Sequence, residues 1–212
     1  DNCITLCIGG GFVSSTLQAV LDCGRLPESL RHAQVGGEAV PPGLMKQFYS
    51  HAHAKTSLHV TYGPSEAAVC ATAIEIPKAS ISKLYENKRR GFIIGRELPH
   101  MKVYIRDQEG NVVPQGCVGE LYIRGSQVGE AYWQKPQLTL EKFVTIDGCL
   151  EFRTGDLGRM VNDGILWFLG RGDRQVKIRG VRVEIGEIEA VCGQIDGVSA
   201  CCVKLVSSEN SS

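Results

Sequence analysis

The chain has no charge to spare in either direction: 23 Lys and Arg face 23 Asp and Glu, a formal net charge of +0. That balance removes the electrostatic footprint of a non-specific nucleic-acid binder or a polybasic membrane-surface protein, so neither nucleic acid nor membrane is an expected partner. No stretch reaches the ~18 consecutive apolar residues of a spanning helix, and no basic start leads into an apolar signal segment. A soluble, cytoplasmic protein is the expectation. Its nine cysteines include no CxxC, and with its five histidines they form no set at zinc-finger spacing, which argues against a disulfide or zinc scaffold. Reduced, mostly buried cysteines are expected, and the histidines read as surface or helix-end residues. Internal repeats and long low-complexity blocks are lacking as well. So is an initiator Met: the 212 residues open on Asp1 and close Ser-rich, so a fragment of something longer is expected.

What is present is ordinary globular composition, 43% hydrophobic and 22% charged, enough for one large domain or two unequal ones. Up to about Ile76, apolar runs alternate with helical spacing. Strands are expected at Ile4–Ile8, His32–Val35 and Leu58–Tyr62, with helices at Phe12–Leu21 and, after Pro41-Pro42, at Gly43–His51. That alternation indicates an α/β layer with a mostly parallel sheet. From Gly91 to Gly170 the pattern turns to short strands punctuated by glycine, among them Met101–Arg106, Gly119–Arg124 and Gly164–Leu169 after the Asn162-Asp163-Gly164 turn. After Asp173, Gln175–Arg179 alternates, Glu184–Cys192 has helical spacing and Val198–Val206 alternates again, a β-α-β unit too small to be a complete domain. The fold class is therefore α/β: a layered α/β segment over residues 1–90, a β-rich subdomain over 91–172, and the start of a small α+β domain over 173–212.

Three glycine-rich turns follow strands. Gly9-Gly10-Gly11 precedes a helix, where backbone amides can hold phosphate, but it lacks both GxGxxG and a Walker lysine and reads as a plain turn. Gly36-Gly37-Glu38 stands at the carboxyl end of a sheet strand, where open α/β sheets bind ligands. Two glycines there let backbone approach a flat ligand, although a tight turn with an exposed Glu is the plainer reading. Tyr62-Gly63-Pro64-Ser65-Glu66 sets an aromatic face, a hydroxyl and a carboxylate on a rigid turn, suited to a base, a phosphate and Mg²⁺. Further on, Asp156 in Arg153-Thr154-Gly155-Asp156-Leu157 is an exposed carboxylate suited to a ribose diol. The run Gly170–Gly180 concentrates cations in a β-like stretch that would, taken alone, read as a solvated strand face.

Together these segments resemble the adenylate-forming superfamily of acyl- and aryl-CoA synthetases, luciferases and non-ribosomal peptide synthetase adenylation domains. Gly119-Glu120-Leu121-Tyr122-Ile123-Arg124-Gly125, Gly129-Glu130-Ala131-Tyr132-Trp133, then Pro136, Leu138, Thr139 and Phe143 match its GELxIxG…GYxxxPxLTxxxF block. Arg153–Leu157 matches RTGDL, and Gly170–Glu184 with Gly186-Glu187-Ile188-Glu189 matches GRxDxQVKIRGxRIE. The order and spacing hold from about residue 30 to 190. Tyr62–Glu66, followed by Val69-Cys70-Ala71-Thr72, is similar to the amino-acid-adenylating branch.

The resemblance implies an enzyme that joins the carboxylate of an amino acid to AMP, releases pyrophosphate, and passes the acyl group to the phosphopantetheine of a peptidyl carrier domain. ATP/AMP and Mg²⁺ are the implied cofactors. It implies that Tyr62 stacks on adenine, with the backbone of Gly36, Gly37 and Glu38 on the other face. Ser65 would contact the α-phosphate, and Glu66, the metal ligand, would help hold Mg²⁺. Asp156 with Arg171 would bind the ribose. Gln34, Gly36, Thr61, Val69 and Cys70 would line the side-chain pocket, and Asp173 would be the hinge of the small domain, with Lys177–Gly180 facing the site in a second state. The chain departs from the pattern at Val60, where the family has Asn, and at Gly129–Tyr132, which lacks the Arg of (A/S)RGY. The phosphate loop, the aspartate for the substrate amine and the C-terminal lysine are not in the sequence. Little activity is therefore expected of this chain alone. A non-catalytic AMP-binding or carrier-docking fragment and an acyl-CoA synthetase-type ligase are the alternative readings.

Overall fold

The computed structural model describes residues 3–9, 13–82, 91–161, 164–173, 175–178, 181–192, 194–195, 198 and 200–205. Its first part alternates strand and helix, as the periodicity predicts: β1 (Ile4–Ile8), α1 (Val13–Asp22), β2 (Leu30–Gly36), α2 (Pro42–His51), β3 (Ser57–Tyr62). β1, β2 and β3 pair in parallel. α1 buries Val13, Leu17 and Leu21, spaced one turn apart on one stripe; Phe12 and the end of the Gly9-Gly10-Gly11 turn lie outside the described residues. α2 opens with proline at its first position and buries Leu44, Met45 and Phe48. Both helices cover one face of the sheet, against Ile8, Ala33, Val35, Leu58 and Val60. Burying one such side chain contributes about 1.5–3 kcal/mol, which makes this face the main source of stability here.

The sheet then continues antiparallel through β4 (Thr72–Glu75) and β5 (Phe92–Glu97). β5 leads on to β10 (Ile165–Arg171), β9 (Cys149–Val161), β7 (Gly119–Gly125) and β6 (Met101–Arg106), with β8 (Phe143–Ile146) pairing β9. A second core, including Ile94, Val103, Ile105, Leu121, Ile123 and Leu166, fills this β-rich part. A short helix, α3 (Pro136–Lys142), interrupts it where only strands were expected. The expected Asn162-Asp163-Gly164 turn falls mostly outside the described residues.

After Asp173 a hairpin of β11 (Gln175–Ile178) and β12 (Val181–Glu184) leads into α4 (Ile185–Cys192). The alternation over Val198–Val206 does not produce a strand among the described residues. Alternation makes a strand only where a neighbour takes the backbone groups, and here the Val203 N–H donates to Glu189 Oε1 on α4 at 2.9 Å. The cysteines also differ from expectation. All nine are free; seven are exposed, and Cys70 and Cys192 are half-buried. Cys7, for example, sits on β1 at the sheet's edge, which only β2 covers, and Cys3 just precedes that strand.

One buried charge cluster pins β6, β7 and β9 together. Glu151 is fully buried. Its Oε2 accepts from Arg106 Nε at 3.0 Å, and its Oε1 accepts from Arg106 Nη2 at 2.9 Å and Arg124 Nη2 at 2.5 Å. Both guanidiniums also lie over the Tyr104 ring, at 5.0 and 4.9 Å. Removing one partner of such a buried set costs about 3–5 kcal/mol, because the opposing charge stays behind without compensation. Glu151→Ala is therefore expected to lower the unfolding free energy by that amount in urea denaturation. Lys102→Ala, which breaks the exposed pair with Glu97, is expected to leave the urea midpoint almost unchanged.

Candidate functional site

The Tyr62–Glu66 turn is shaped by backbone crowding. The Ala71 N–H donates back to the Tyr62 carbonyl at 2.8 Å, so the loop closes on itself. A Cβ on Gly63 would stand 2.7 Å from both Ala71 N and Val69 O, which only glycine avoids. The loop contains a 3₁₀ turn at Ser65–Ala67, then Ala68 and Val69 at φ 50 and 72, in the left-handed region. For a β-branched residue that region is strained, and Val69 is nevertheless exposed, at 59%. Ser65 is exposed as well.

Four residues that the sequence reading drew from three separate motifs meet at this end of the sheet. The Tyr62 hydroxyl donates to Asp156 Oδ2 at 2.5 Å, across 94 positions of sequence. Arg171 Nη1 donates to Asp156 Oδ1 at 2.9 Å. The same guanidinium donates to Asp173 from Nε at 2.9 Å and from Nη2 at 2.5 Å. β9 and β10 bring this about, because their register sets Asp156 opposite Arg171. Gly155 sits at φ 76, and a Cβ there would overlap Asp173 Oδ2 and lie 2.6 Å from Arg171 Nη2. Asp156 is not the exposed carboxylate that the sequence implied. It is 7% exposed, because Tyr62 and Arg171 cover it. A carboxylate has about four lone-pair sites, so it keeps acceptor capacity for a diol.

The electrostatics follow from this packing. Burial pushes the Tyr62 phenol well above its ordinary pKa, and the neighbouring Asp156 charge adds to the shift, so Tyr62 stays protonated as a donor. Burial pushes the Asp173 carboxyl up as well, but the Arg171 hydrogen bonds outweigh it and the net direction is down. Lys142, on α3, adds a cation 3.8 Å from Asp173 Oδ2.

The remaining expected residues fall into two groups. Glu66 faces the β-rich part: Tyr132 donates its hydroxyl to Glu66 Oε1, and the Gly129 N–H donates to the Glu66 carbonyl at 2.8 Å. Gln34, Gly36, Thr61 and Cys70 come together on β2, β3 and the loop after β3. Gln34 Nε2 lies 3.5 Å from Thr61 Oγ1 and 3.9 Å from Cys70 Sγ, and Gly36 packs directly on Thr61. Val69, by contrast, is exposed. Gly37 lies at φ 92, a backbone that suits glycine, whereas the Glu38 side chain turns to α1 and accepts the Ser14 N–H at 3.2 Å. That contact places a carboxylate on the positive end of α1. A cavity of ≈ 530 Å³ opens beside Gly155 and Asp173, but neither Tyr62 nor Asp156 lines it.

Sequence reasoning missed several partners. Thr154 accepts the Asp156 N–H at 2.9 Å and donates to the Leu121 carbonyl at 2.7 Å, which ties this stretch of β9 to β7. Glu120 grips Arg153 Nε at 3.0 Å and the Gly155 N–H at 2.9 Å. These residues lie within recognised motifs, yet only the β7–β9 pairing reveals that they support this part of β9. His32 and His59, set aside as surface residues, share a hydrogen-bonded cluster on the sheet face with Ser57.

Comparison with known proteins identifies the family and the fold. A family model described as AMP-binding enzyme matches residues 11–133. Tyrocidine synthase 2 of Brevibacillus parabrevis is 40% identical over 186 residues, which is 85% of this chain and 5% of that protein. Phosphinothricin tripeptide synthetase PhsB of Streptomyces viridochromogenes is 40% identical over 185 residues, 84% of this chain and 15% of that one. The chain thus spans only a small part of these relatives. In fold it matches PA1221, an NRPS protein containing adenylation and PCP domains, with a TM-score of 0.78 at 22% identity over 96% of this chain and 40% of that one. NpsA-ThdA, an artificially fused adenylation–PCP di-domain from Klebsiella oxytoca, gives a TM-score of 0.72 at 26% identity, covering 94% and 36%. A family model that takes in more than half of the residues, together with peptide-synthase relatives at this identity, means that the chain belongs to the AMP-binding enzyme family, among its adenylate-forming ligases.

Proposed function

We propose that this chain supplies the base, ribose and side-chain-pocket part of an amino-acid-adenylating domain. The observation that carries the reading is the convergence of Tyr62, Asp156, Arg171 and Asp173 at the sheet end. In the reaction a substrate carboxylate oxygen attacks the α-phosphorus of ATP, and the bond to the bridging oxygen breaks as pyrophosphate leaves. The acyl group then passes from aminoacyl-AMP to the phosphopantetheine thiol of a carrier domain, and AMP is released. Asp156 accepts the ribose hydroxyls while Arg171 fixes its carboxylate in place. The Tyr62 ring presents a face to the base, and the exposed Ser65 hydroxyl donates to the α-phosphate. Mg²⁺ favours one or two carboxylates plus substrate phosphates, so the Glu66 carboxylate beside Tyr132 fits as its protein ligand. Bound there, the metal neutralises charge that develops on the phosphoryl oxygens.

Asp173 serves as the hinge, with residues 1–90, 91–172 and 173–212 as the units on either side of the site. Its grip on Arg171 ties the hinge to the ribose carboxylate, so rotation of the small unit is felt at the nucleotide. The two faces of this coupling suit a site that excludes water in one step and admits a thiol in the next.

Calorimetric titration of the chain with AMP tests the reading: binding is expected, and Asp156→Ala is expected to weaken it about 10- to 100-fold, the worth of hydrogen bonds to a charged group. Equal affinity in the variant counts against the assignment. A second expectation concerns pH. The Asp173 carboxyl titrates low in the folded chain, so its contribution to stability is present above the ordinary aspartate value and is lost as pH falls through the lowered one. Carbon-13 NMR of the carboxyl should give a midpoint below the ordinary value of about 3.9, and Arg171→Ala should move that midpoint upward.

A further inference from the structure

The face of β1–β4 turned away from α1 and α2 carries polar side chains in rows. Parallel register sets Gly36 beside Thr61 and Gln34 beside His59. Antiparallel register sets Ala73 opposite Thr61 and Glu75 opposite His59. Residues two apart on a strand share a face and lie about 6.6 Å apart. Gln34, His59 and Glu75 therefore form a row one step further from the nucleotide end than Gly36, Thr61 and Ala73.

The hydrogen bonds decide which ligand chemistry this row accepts. Ser57 Oγ lies 3.0 Å from His32 Nδ1, 2.8 Å from His59 Nε2 and 3.3 Å from the Arg31 carbonyl oxygen. A hydroxyl has one proton and two lone pairs, and a carbonyl can only accept. All three contacts hold together only when Ser57 donates to Arg31 and each imidazole donates an N–H to Ser57. In the neutral imidazole that places the His59 proton on Nε2 and leaves Nδ1 as an acceptor. Gln34 turns its amide nitrogen to Thr61 and Cys70, which leaves its Oε1 as an acceptor too. Glu75, exposed at the end of the row, is acceptor-only and negative.

We propose that the side-chain pocket extends along β2 and β3 to this row, and that Gln34, His59 and Glu75 select an amino acid with a cationic side chain of the ornithine or lysine type. An ammonium carries three donors and no acceptor, which matches a row of acceptors with one negative charge. An aliphatic side chain would leave those acceptors without partners, and a carboxylate would meet them acceptor to acceptor. The length agrees as well: three or four methylenes span roughly 5–6 Å from the α-carbon, close to one step along the strand. This inference rests on the adenylation reading of the same site.

The test titrates the 212-residue chain with AMP and with three stable acyl-AMP analogues, the ornithyl, leucyl and glutamyl sulfamoyl adenosines. The ornithyl analogue is expected to bind at least tenfold tighter than the other two. His59→Leu is expected to erase that margin while AMP binding stays unchanged, and His59→Gln, which keeps a donor for Ser57 and an acceptor for the ligand, to retain part of it. Circular dichroism confirms that each variant folds. If AMP binds but the leucyl or glutamyl analogue binds as well as the ornithyl one, or the margin survives His59→Leu, the pocket inference is overturned and the nucleotide reading stands. If AMP itself does not bind the native chain, the adenylation reading falls and the inference falls with it.

Discussion

Arg171 stands between two carboxylates that belong to different parts of the chain, and the shape of its guanidinium lets it hold both. Nη1 reaches Asp156 on β9 while Nε and Nη2 take both oxygens of Asp173, just ahead of the β11–β12 hairpin. A lysine at this position would bring a point charge without the planar fork that binds one acid bidentately and another from its remaining edge. Gly155 is the other half of the constraint, since any side chain there would displace Asp173 from its partner. Tyr62 then closes the assembly from the α/β part by donating to the remaining Asp156 oxygen. One cation positions both carboxylates, and Tyr62 joins them from 94 positions away in sequence.

The rest of the β-rich part serves to hold that arrangement still. β9 carries Glu151 near its start and Asp156 near its middle. The first is locked by Arg106 and Arg124 from two neighbouring strands, and the second by Tyr62 and Arg171. A strand with a buried ion cluster at one end has little freedom to slip, because a one-residue shift would turn every side chain to the other face. The Asp156 carboxylate further along the strand is then placed by register rather than by its own flexibility. This is a costly way to gain stability, since buried charges repay their desolvation only when fully partnered. Its use here favours a role in setting register.

Much of this was legible in the sequence, for reasons that differ by element. Met101–Arg106 alternates cleanly between a turn and a buried face, and the strand has those limits. The turns at Gly36-Gly37 and Gly63-Pro64 were visible because backbone crowding demands residues that few other contexts need; Gly155-Asp156 was visible for the same reason, although it lies within β9 rather than on a turn. β9 was not visible, because Arg153, Gly155, Asp156, Gly158 and Arg159 break its alternation, and each is placed by a partner on another strand. Tyr132 meets Glu66 across 66 positions and Tyr62 meets Asp156 across 94, separations at which local pattern carries no information. The histidines were passed over because they were weighed as possible metal ligands. Only strand register shows that Ser57 lies between them.

The two halves of the site are built on different principles, and that difference bears on how such a protein changes partners. The end built from Tyr62, Gly155, Asp156 and Arg171 consists of residues whose identity is dictated by close approach and by a shared cation, so substitution at one of them disturbs the others. The side-chain end consists of alternate positions on β2 and β3, whose intervening residues Ala33, Val35, Leu58 and Val60 face the helices. Because successive side chains on a strand point to opposite faces, Gln34, His59 and Thr61 can be exchanged without touching the core beneath them. On the proposed reading, substrate choice is thereby separated from both stability and nucleotide geometry. The strand face can present acceptors, donors or apolar groups in turn, while the Asp156–Arg171 pair stays as it is.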